Sequence, residues 1–427
     1  MNKRYLRLFI GVLLIILGIC LLVHNLKGDN EPMKPDRPTV NLTNNFDFKM
    51  INEVKQYNEN YMISPLSIAY ALDMLKQGAN DNTRKQIEDV LENYDLPKTV
   101  NIKDRVSIAN LLFVNEKNKK DINEAYIKML QKEYSSDLMF DKLQTPEKVN
   151  EWISKKTFEM IPDAIKVMDP NTVLGLANAI AIDVKWKNTL ECDSTRERDF
   201  TLSDKTKMKT PMMSGSNDVV YIESKNAKGI IKDYMNYDIT TGKETYEQNE
   251  NTISLEYIAI LPNGDLDDYL KTFGKEELEL LLSNKKSSNA KLDINYNLPK
   301  YTYDFDYDKV KQSLYNLGIT DAFDPVNARF KNMVNDDSEL NLYVNEVLHK
   351  SHIEVNENGT KAAAVTVIML RDGMAIMDED IKVINITFDK PFLYIIKEKN
   401  IDNIWFYGTV YKPMDFKDNP KCEVSYE

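Results

Sequence analysis

Histidine and cysteine are both scarce in this 427-residue chain, which has three of each. Hydrolytic triads and zinc sites draw mainly on histidine, and small secreted scaffolds depend on several disulfides. His349 and His352 lie in a segment whose neighbours alternate as in a strand, so they point to opposite faces and do not bind one ion together. A G-x-S-x-G nucleophile motif is missing as well. The sequence therefore predicts neither an enzyme nor a protein with a metal or other cofactor.

Basic side chains are too few to balance the acidic ones. The 55 Lys and Arg residues face 67 Asp and Glu residues, which gives a formal net charge of −12, and no basic run stands out. Because a negative protein repels a phosphate backbone, we do not expect nucleic acid as a partner. Only Cys192 and Cys422 lie beyond the N-terminal segment, and the sequence leaves open whether they pair.

The N-terminus carries an uncharged apolar run of 16 residues, Leu8 to Val23, preceded by three basic residues, Lys3, Arg4 and Arg7. This length lies between a signal-peptide core and a spanning helix, and no small-x-small cleavage site follows. We expect an uncleaved membrane anchor, with cleaved secretion and lipoprotein processing as the alternatives. The basic flank keeps the N-terminus inside, so the rest of the chain belongs outside the cell or on its surface.

Three regions follow from this composition. Residues 1–26 form the anchor or signal segment, residues 27–45 form a polar linker, and residues 46–427 form one domain. The polar stretch from Asn236 to Asn251 is short enough to be a surface loop within that domain.

Hydrophobic periodicity predicts helices early in the domain and strands later. The predicted helices are Ser67 to Lys76, Thr83 to Leu91, Asp121 to Tyr134 and Thr145 to Met160. The predicted strands are Ala177 to Trp186, Ser254 to Leu261, Lys291 to Pro299, Leu342 to Leu348, Val383 to Thr387, Phe392 to Lys397 and Ile404 to Tyr411. Segregated helices and strands indicate an α+β fold with antiparallel or mixed sheets.

The most informative segment runs from Glu357 to Leu370. If it is a strand, one face carries only uncharged side chains, those of Thr360, Ala362, Ala364, Thr366, Ile368 and Leu370. The following residues, Arg371 to Asp380, contain methionines and then acidic residues, which is typical of an exposed loop. The segment predicts an insertable strand joined to a cleavable tether, and an ordinary strand or buried helix is the alternative.

This segment resembles the reactive-loop hinge of the serpins, whose pattern is E-x-G-T-x-A-A-A-x-T, and the likeness is to the bacterial members. The matching residues are Glu357, Gly359, Thr360, Ala362, Ala363, Ala364 and Thr366. Other segments of the chain also resemble serpin sequences, and they occur in the order expected for the family. They are Ile63 to Ile68, Gln77 to Ile87, Asn178 to Trp186, Phe388 to Phe392 and Phe406 to Pro413. Four positions depart from the usual serpin residues. Asp183-Val184 replaces the usual K-G of N-A-I-Y-F-K-G-x-W, Lys361 replaces an acidic residue, and Val365 replaces an alanine.

The resemblance implies the serpin fold, with about nine helices, three β-sheets and an exposed reactive centre loop. It also implies a buried polar cluster beneath the central sheet, called the shutter, made of Ser64, Ser67, Asn178 and His349. Ser64 and Ser67 fit a helix cap equally well, and His349 by itself fits a satisfied core histidine. At the upper end of the sheet, called the breach, the resemblance places Trp186, Lys300 and Glu357, with Lys300 and Glu357 as a partly exposed ion pair.

The resemblance further implies a single-use inhibitor of serine proteases, and of cysteine proteases as a variant, in which Thr360–Leu370 inserts into the central sheet after cleavage. The partner would be a trypsin-, subtilisin-, elastase- or chymotrypsin-like protease, and the inhibitor would be a monomer. Family spacing favours cleavage between Gly373 and Met374, whereas Arg371-Asp372 suits a trypsin-like target. The alternative is a non-inhibitory serpin-fold binding or chaperone protein.

Overall fold

Eight α-helices lie in the part of the chain that the computed structural model describes, residues 45–360, 381–399 and 401–420. They are α1 (Phe46–Val54), α2 (Pro65–Gly78), α3 (Asp81–Leu91), α4 (Glu124–Tyr134), α5 (Glu147–Lys156), α6 (Leu266–Thr272), α7 (Lys275–Ser283) and α8 (Val310–Asn316). Short 3-10 helices occupy Glu116–Asp121, Cys192–Ser194, Asp321–Phe323, Lys331–Met333 and Phe416–Asp418. The four predicted helices are all present as α2 to α5, although α5 is shorter than predicted.

The residues Ser64 and Pro65 explain why α2 begins where it does. Ser64 is its N-cap, and the Ser64 Oγ accepts a hydrogen bond from the Ser67 backbone N–H at 3.1 Å. Pro65 follows at the first helical position, where its missing N–H costs nothing. The predicted helix cap is therefore confirmed.

The strands of the described residues are listed here in chain order. They are β1 (Met62–Ile63), β2 (Asn101–Ile102), β3 (Val106–Asn115), β4 (Asp137–Asp141), β5 (Leu174–Ile182), β6 (Val184–Lys185), β7 (Arg196–Thr201), β8 (Lys207–Ser216), β9 (Val219–Glu223), β10 (Ala227–Asp233), β11 (Asn236–Asp238), β12 (Glu244–Thr245), β13 (Thr252–Ile253), β14 (Leu255–Pro262), β15 (Lys285–Ser287), β16 (Leu292–Pro299), β17 (Tyr301–Tyr307), β18 (His349–Val355), β19 (Gly359–Thr360), β20 (Lys382–Thr387), β21 (Phe392–Glu398) and β22 (Ile404–Val410). Helices and strands thus coexist as the predicted α+β class requires.

Two of the sheets do not contain the strand Gly359–Thr360. One has seven strands in the order β1-β22-β21-β14-β10-β9-β15, and its centre is buried on both faces, since every residue of β14 is buried. The other has the order β20-β16-β8-β7, in which β16 and β20 run parallel and the other pairs run antiparallel.

The remaining large layer is divided by a gap. Strands β2, β3, β4 and β5 form one half, with β3 paired to β5 along its length. The order β17-β18-β19-β6 forms the other half. Only Asp183 separates β5 from β6, so one nearly continuous strand belongs to both halves. The halves meet at β6 and diverge along β5 and β18.

Two sequence predictions fail in this layer. The predicted strand Leu342 to Leu348 is wrong, because these residues have no regular structure and the strand begins at His349. Strand β3 was not predicted, in a region that periodicity assigned mainly to helices. All ten of its residues are buried, so the apolar alternation that normally identifies a strand is absent.

The polar stretch after β10, which the sequence predicted to be a surface loop, contains short strands in addition to exposed loop residues. Together with β13 they form a small sheet in the order β12-β11-β13. Tyr237 of β11 is buried and holds this sheet to the protein, and Lys185 pairs with Glu244 across the contact, with 2.9 Å between Nζ and Oε1. An aromatic anchor within a polar sequence explains why composition alone suggested a loop.

Two expectations concern the ends of the chain. None of the helices formed by the described residues has the length and apolar character needed to cross a bilayer, and the predicted anchor, residues 1–26, lies outside those residues. Cys192 is disulfide-bonded, while Cys422, its possible partner in the sequence, also lies outside the described residues.

Candidate functional site

The hinge predicted from the sequence begins as a strand inside the divided layer. Gly359 and Thr360 form β19, which lies between β6 and β18. Gly359 pairs with Lys185 and Thr360 with Val184 on one side, and Thr360 pairs with Val355 on the other, all antiparallel. Both residues of β19 are buried. The chain is therefore already inserted at the first two hinge positions.

Gly359 is needed for this close approach. A Cβ at this position would lie 2.1 Å from the Val184 carbonyl oxygen and 2.8 Å from the Lys185 Cα. These are backbone atoms, which a rotamer change cannot move aside. The resemblance to the serpin pattern singled out Gly359, and the structure adds a steric reason for glycine at this position.

An aromatic stack lies beneath Thr360. The Tyr234 hydroxyl and the Thr360 Oγ1 are 2.5 Å apart, and the Tyr234 ring stacks on Trp186 with 4.5 Å between ring centroids. The Trp186 Nε1 donates to the Asn356 carbonyl at 2.9 Å, and its backbone N–H donates to the Asn358 carbonyl at 2.8 Å. Trp186 thus holds the turn that precedes the hinge strand. Tyr234 was not identified from the sequence, because its partner is 126 positions away.

Lys300 and Glu357 form an ion pair, with 3.0 Å between Nζ and Oε2. The sequence predicted a partly exposed pair, and this is wrong, since the side chains are only 4% and 5% exposed. The other carboxylate oxygen accepts from the Thr195 hydroxyl at 2.7 Å. Breaking a buried pair leaves an uncompensated charge in the interior, so each partner depends strongly on the other.

A second buried cation lies nearby and was missed by the sequence reasoning. The Lys232 ammonium pairs with Asp218, donates to the Asn188 carbonyl at 3.0 Å, and lies 5.5 Å from the ring centroids of Trp186 and Tyr296. Burial lowers the pKa of Lys232, which the Asp218 charge partly opposes. A lone lysine in a β-strand gives no sequence signal of burial.

Below β19 the gap between β5 and β18 is a cavity of about 470 Å³. Both strands line it, α2 contributes Ser64 and Ser67, and the segment that follows α5 contributes further apolar residues. In the described residues no strand pairs with the facing edges of β5 and β18 below Val355. An unpaired strand edge is a template for adding another strand. The cavity is therefore a slot of the kind that a strand can fill.

The four predicted shutter residues line this cavity but do not form one cluster. The Ser64 backbone N–H donates to the His349 Nε2 at 3.1 Å, and Ser67 donates to Ser64. Asn178 lies on the other wall, where its amide donates to Asn110 Oδ1 at 2.9 Å. No hydrogen bond among the described residues joins Asn178 to the other three.

His349 is a buried histidine that faces the slot, and His352 points to the opposite face of β18. Burial lowers the pKa of His349 to about 4, against a smaller opposing effect of the Asp306 charge. His349 is therefore neutral at physiological pH, and its Nε2 accepts the bond from Ser64. The expectation of a satisfied core histidine is confirmed.

Several predicted site residues lie outside the described residues. These are the hinge positions Ala362, Ala363, Ala364 and Thr366 and the candidate scissile positions Arg371, Asp372, Gly373 and Met374. Among the residues that are described, no three His, Cys, Asp or Glu side chains are grouped so as to hold a metal ion.

Comparison with known proteins covers nearly the whole domain. The sequence matches the family model described as Serpin (serine protease inhibitor) over residues 41–413. The leukocyte elastase inhibitor of Xenopus tropicalis is 29% identical over 399 residues, which cover 86% of this chain and 97% of that protein. Human neuroserpin is 28% identical over 382 residues, which cover 83% of this chain and 87% of that protein.

A solved structure agrees with these sequence matches. The native state of tengpin, a thermophilic serpin, aligns with a TM-score of 0.70 and 27% identity, covering 86% of this chain and 92% of that chain. The fold that the sequence predicted is therefore confirmed.

Proposed function

Since the chain belongs to the serpin family, we propose that it inhibits serine proteases, or cysteine proteases, as a single-use trap. A protease cleaves the loop that follows Thr360, and the freed strand Thr360–Leu370 then fills the slot between β5 and β18. The protease, still attached through its acyl bond, is carried along and distorted. The chain acts as a substrate that captures its enzyme and is not itself an enzyme.

The observation that carries this proposal is the position of β19 at the mouth of the open slot. If the strand continued into the slot in the register of β19, Ala362 would lie between Ile182 and Ile353, and Ala364 between Ile180 and Ser351. The same side chains of β5 and β18 line the cavity. Small uncharged residues suit this inward face, because a proline or charge there would oppose insertion.

The register also gives the shutter residues a shared partner. Thr366 would enter between Asn178 on β5 and His349 on β18. A hydroxyl, an amide and a neutral imidazole can all exchange hydrogen bonds, so the arriving threonine would reconnect the two walls. We assign Ser64, Ser67, Asn178 and His349 this re-pairing role.

The breach residues control the mouth of the slot in this proposal. Trp186 holds the turn at Asn356 and Asn358, and the Lys300–Glu357 pair anchors the chain just before Gly359. Together they keep the hinge aligned with the slot until cleavage releases the loop.

The target protease and the bond it cleaves follow less directly from the residues. We propose cleavage between Gly373 and Met374, with Arg371-Asp372 as the bond for a trypsin-like target. Met369, Leu370 or Met374 would suit a subtilisin-, elastase- or chymotrypsin-like pocket. Mass spectrometry of the released fragment identifies the bond. The proposal places the inhibitor outside the cell or on its surface, as a monomer held by an N-terminal membrane anchor.

The test is incubation with a panel of trypsin-, subtilisin-, elastase- and chymotrypsin-like proteases. We expect at least one to form a complex that survives SDS and has a larger mass than the intact chain. Thr366→Arg should abolish the complex and leave only cleavage, because it brings a charge between Asn178 and His349. Thr366→Ser keeps the hydroxyl and is the matched control.

Thermal melting provides an independent measurement. A chain cleaved between Met369 and Met377 gains a strand with its ladder hydrogen bonds, so its melting temperature should rise markedly. If every protease only nicks the loop, the non-inhibitory binding or chaperone alternative replaces the inhibitor. If the nicked chain also melts no higher than the intact one, insertion itself does not occur.

A further inference from the structure

Two side chains at the end of β10 hold the ring of Trp186 beside the hinge. Lys232 and Tyr234 are two positions apart, and Tyr234 pairs with Trp186 in an isolated antiparallel bridge. Side chains two apart in an extended chain share one face. The Tyr234 ring stacks on Trp186, and the Lys232 Nζ lies 5.5 Å from the centroid of the same indole ring. Trp186 is therefore contacted by an aromatic ring and by a cation.

The Lys232 ammonium also holds the segment that follows β6. It donates a hydrogen bond to the Asn188 carbonyl at 3.0 Å. Two residues further along, the Leu190 backbone N–H donates to the Glu357 carbonyl at 2.8 Å. Lys232 therefore acts on Glu357 through the segment 186–190, which we call the breach segment.

The charge of Lys232 is balanced within the interior. Its ammonium pairs with Asp218 in the turn between β8 and β9, and the two side chains are 1% and 14% exposed. Asp218 Oδ2 also accepts from the Tyr296 hydroxyl at 3.2 Å. Tyr296 belongs to β16, which pairs with β20, the first strand described after the hinge. The pair thus connects the breach segment to the sheet that contains β20.

We propose that Lys232 is a positioning residue for the protease trap. This inference rests on the proposed trapping function and specifies what aligns the hinge. By holding the Trp186 ring and the Asn188 carbonyl, the ammonium keeps the breach segment where it binds the turn at Glu357 and Asn358. Insertion competes with hydrolysis of the acyl bond by water, which releases the protease. A loosened hinge inserts later, so more of the protease escapes.

Stability alone does not require this buried pair. Replacing a buried ion pair by apolar side chains of similar volume is often neutral or stabilising. An apolar side chain, however, cannot donate to the Asn188 carbonyl or attract the Trp186 ring as a cation does. The contacts that only a cation can make are the ones directed at the breach segment.

The experiment compares two variants in order to separate position from stability. Lys232→Met leaves the Asp218 carboxylate buried without its cation, so the urea midpoint of the intact chain should fall. Adding Asp218→Asn removes that charge and keeps an oxygen for the Tyr296 hydroxyl, so the double variant should recover most of the wild-type midpoint. Neither variant can donate to the Asn188 carbonyl.

Amide hydrogen exchange of the intact chain shows whether the breach segment is still held. In the double variant we expect the Trp186 and Leu190 amides, which bond to Asn358 and Glu357, to exchange about tenfold faster than in the wild type. The amides of β14 lie in the same sheet as β10, in a strand whose residues are all buried, and they should exchange as in the wild type.

Protease trapping is measured on the same proteins. With subtilisin, or another panel protease that the wild type traps, the double variant should give less SDS-resistant complex and more cleaved, free chain. Lys286→Met is the matched control. Lys286 also pairs with a carboxylate, that of Glu223, and lies 5.6 Å from the Tyr221 ring centroid, but the paired side chains are 37% and 43% exposed. This control should change neither the local exchange nor the yield of complex.

Wild-type exchange at Trp186 and Leu190 in the double variant would overturn the inference while leaving the trapping function intact. An acceleration that β14 shares would also overturn it, because it would indicate a general loss of stability. So would a wild-type yield of complex despite faster local exchange. If the wild type itself traps no protease, the proposed function fails and the role of Lys232 in trapping fails with it, whatever the exchange shows.

Discussion

Neutralising Glu357 should destabilise the intact protein far more than an ordinary surface ion pair would. Glu357→Gln keeps an oxygen to accept the Thr195 hydroxyl, but it replaces the oxygen that lies 3.0 Å from the Lys300 Nζ with an uncharged amide. Lys300 is then a buried cation without its counter-ion. Breaking a buried pair in this way costs about 3–5 kcal/mol.

The size of this destabilisation depends on how deeply the Lys300–Glu357 pair is buried. The two side chains are 4% and 5% exposed, so solvent screens the lost charge very little. Lys300→Met should cost a similar amount, because it leaves the Glu357 carboxylate buried. In the double variant both charges are gone, and we expect a coupling energy of about 1–3 kcal/mol between the two sites.

Urea unfolding of the uncleaved protein measures these changes, with tryptophan fluorescence as the signal because Trp186 lies in the same region. Asp268→Asn is the control, since Asp268 and Lys271 form an ion pair with both side chains largely exposed, and no measurable change is expected. A loss below about 1 kcal/mol for Glu357→Gln would refute the buried pair and restore the partly exposed pair that the sequence suggested.

Three further predictions concern the slot and its mouth. Burial lowers the pKa of His349 to about 4, so unfolding takes up a proton between pH 6.5 and 4, and stability present above pH 6.5 should fall by up to about 1.4 kcal/mol per pH unit below it. Urea unfolding at pH 7 and 5 checks this, and an unchanged slope in His349→Gln would contradict it. Tyr234→Phe leaves the Thr360 hydroxyl without its buried partner, which costs about 1–3 kcal/mol locally, so amide exchange at Thr360 should accelerate; equal exchange argues against the contact. Gly359→Ala should expel the hinge and speed its proteolysis, whereas Gly264→Ala, whose Cβ would meet nothing within 4 Å, should have no effect; equal proteolysis would show that the hinge strand tolerates a side chain.

Local sequence signals predicted the elements that depend on nearby residues. The cap at Ser64 and the apolar spacing of α2 both act within a few positions, and both were predicted. The hinge was predicted through the resemblance to the serpin pattern, and its residues beyond Thr360 lie outside the described residues. Strand β3 was missed because burial on both faces removes the alternation that reveals a strand.

The sequence predicted which residues belong to the candidate site better than it predicted the contacts that they make. Trp186, Lys300 and Glu357 do lie around the hinge, but the burial of the ion pair was not foreseen. Asn178 proved to bond to Asn110, while Ser64 bonds to His349. Tyr234 and Lys232 were overlooked, because their roles come from partners far away in the chain.

The sequence by itself determined the α+β class, helices α2 to α5 and strands β5, β6, β14, β16, β20, β21 and β22, since these depend on hydrophobic periodicity. It also predicted a hinge of small side chains, through the resemblance to the serpin pattern. Only the tertiary structure decided that the large layer is open between β5 and β18, and that Gly359 and Thr360 already occupy its mouth. The reason is physical: strand pairing and burial join residues more than a hundred positions apart, and their register is fixed by packing that no local pattern encodes.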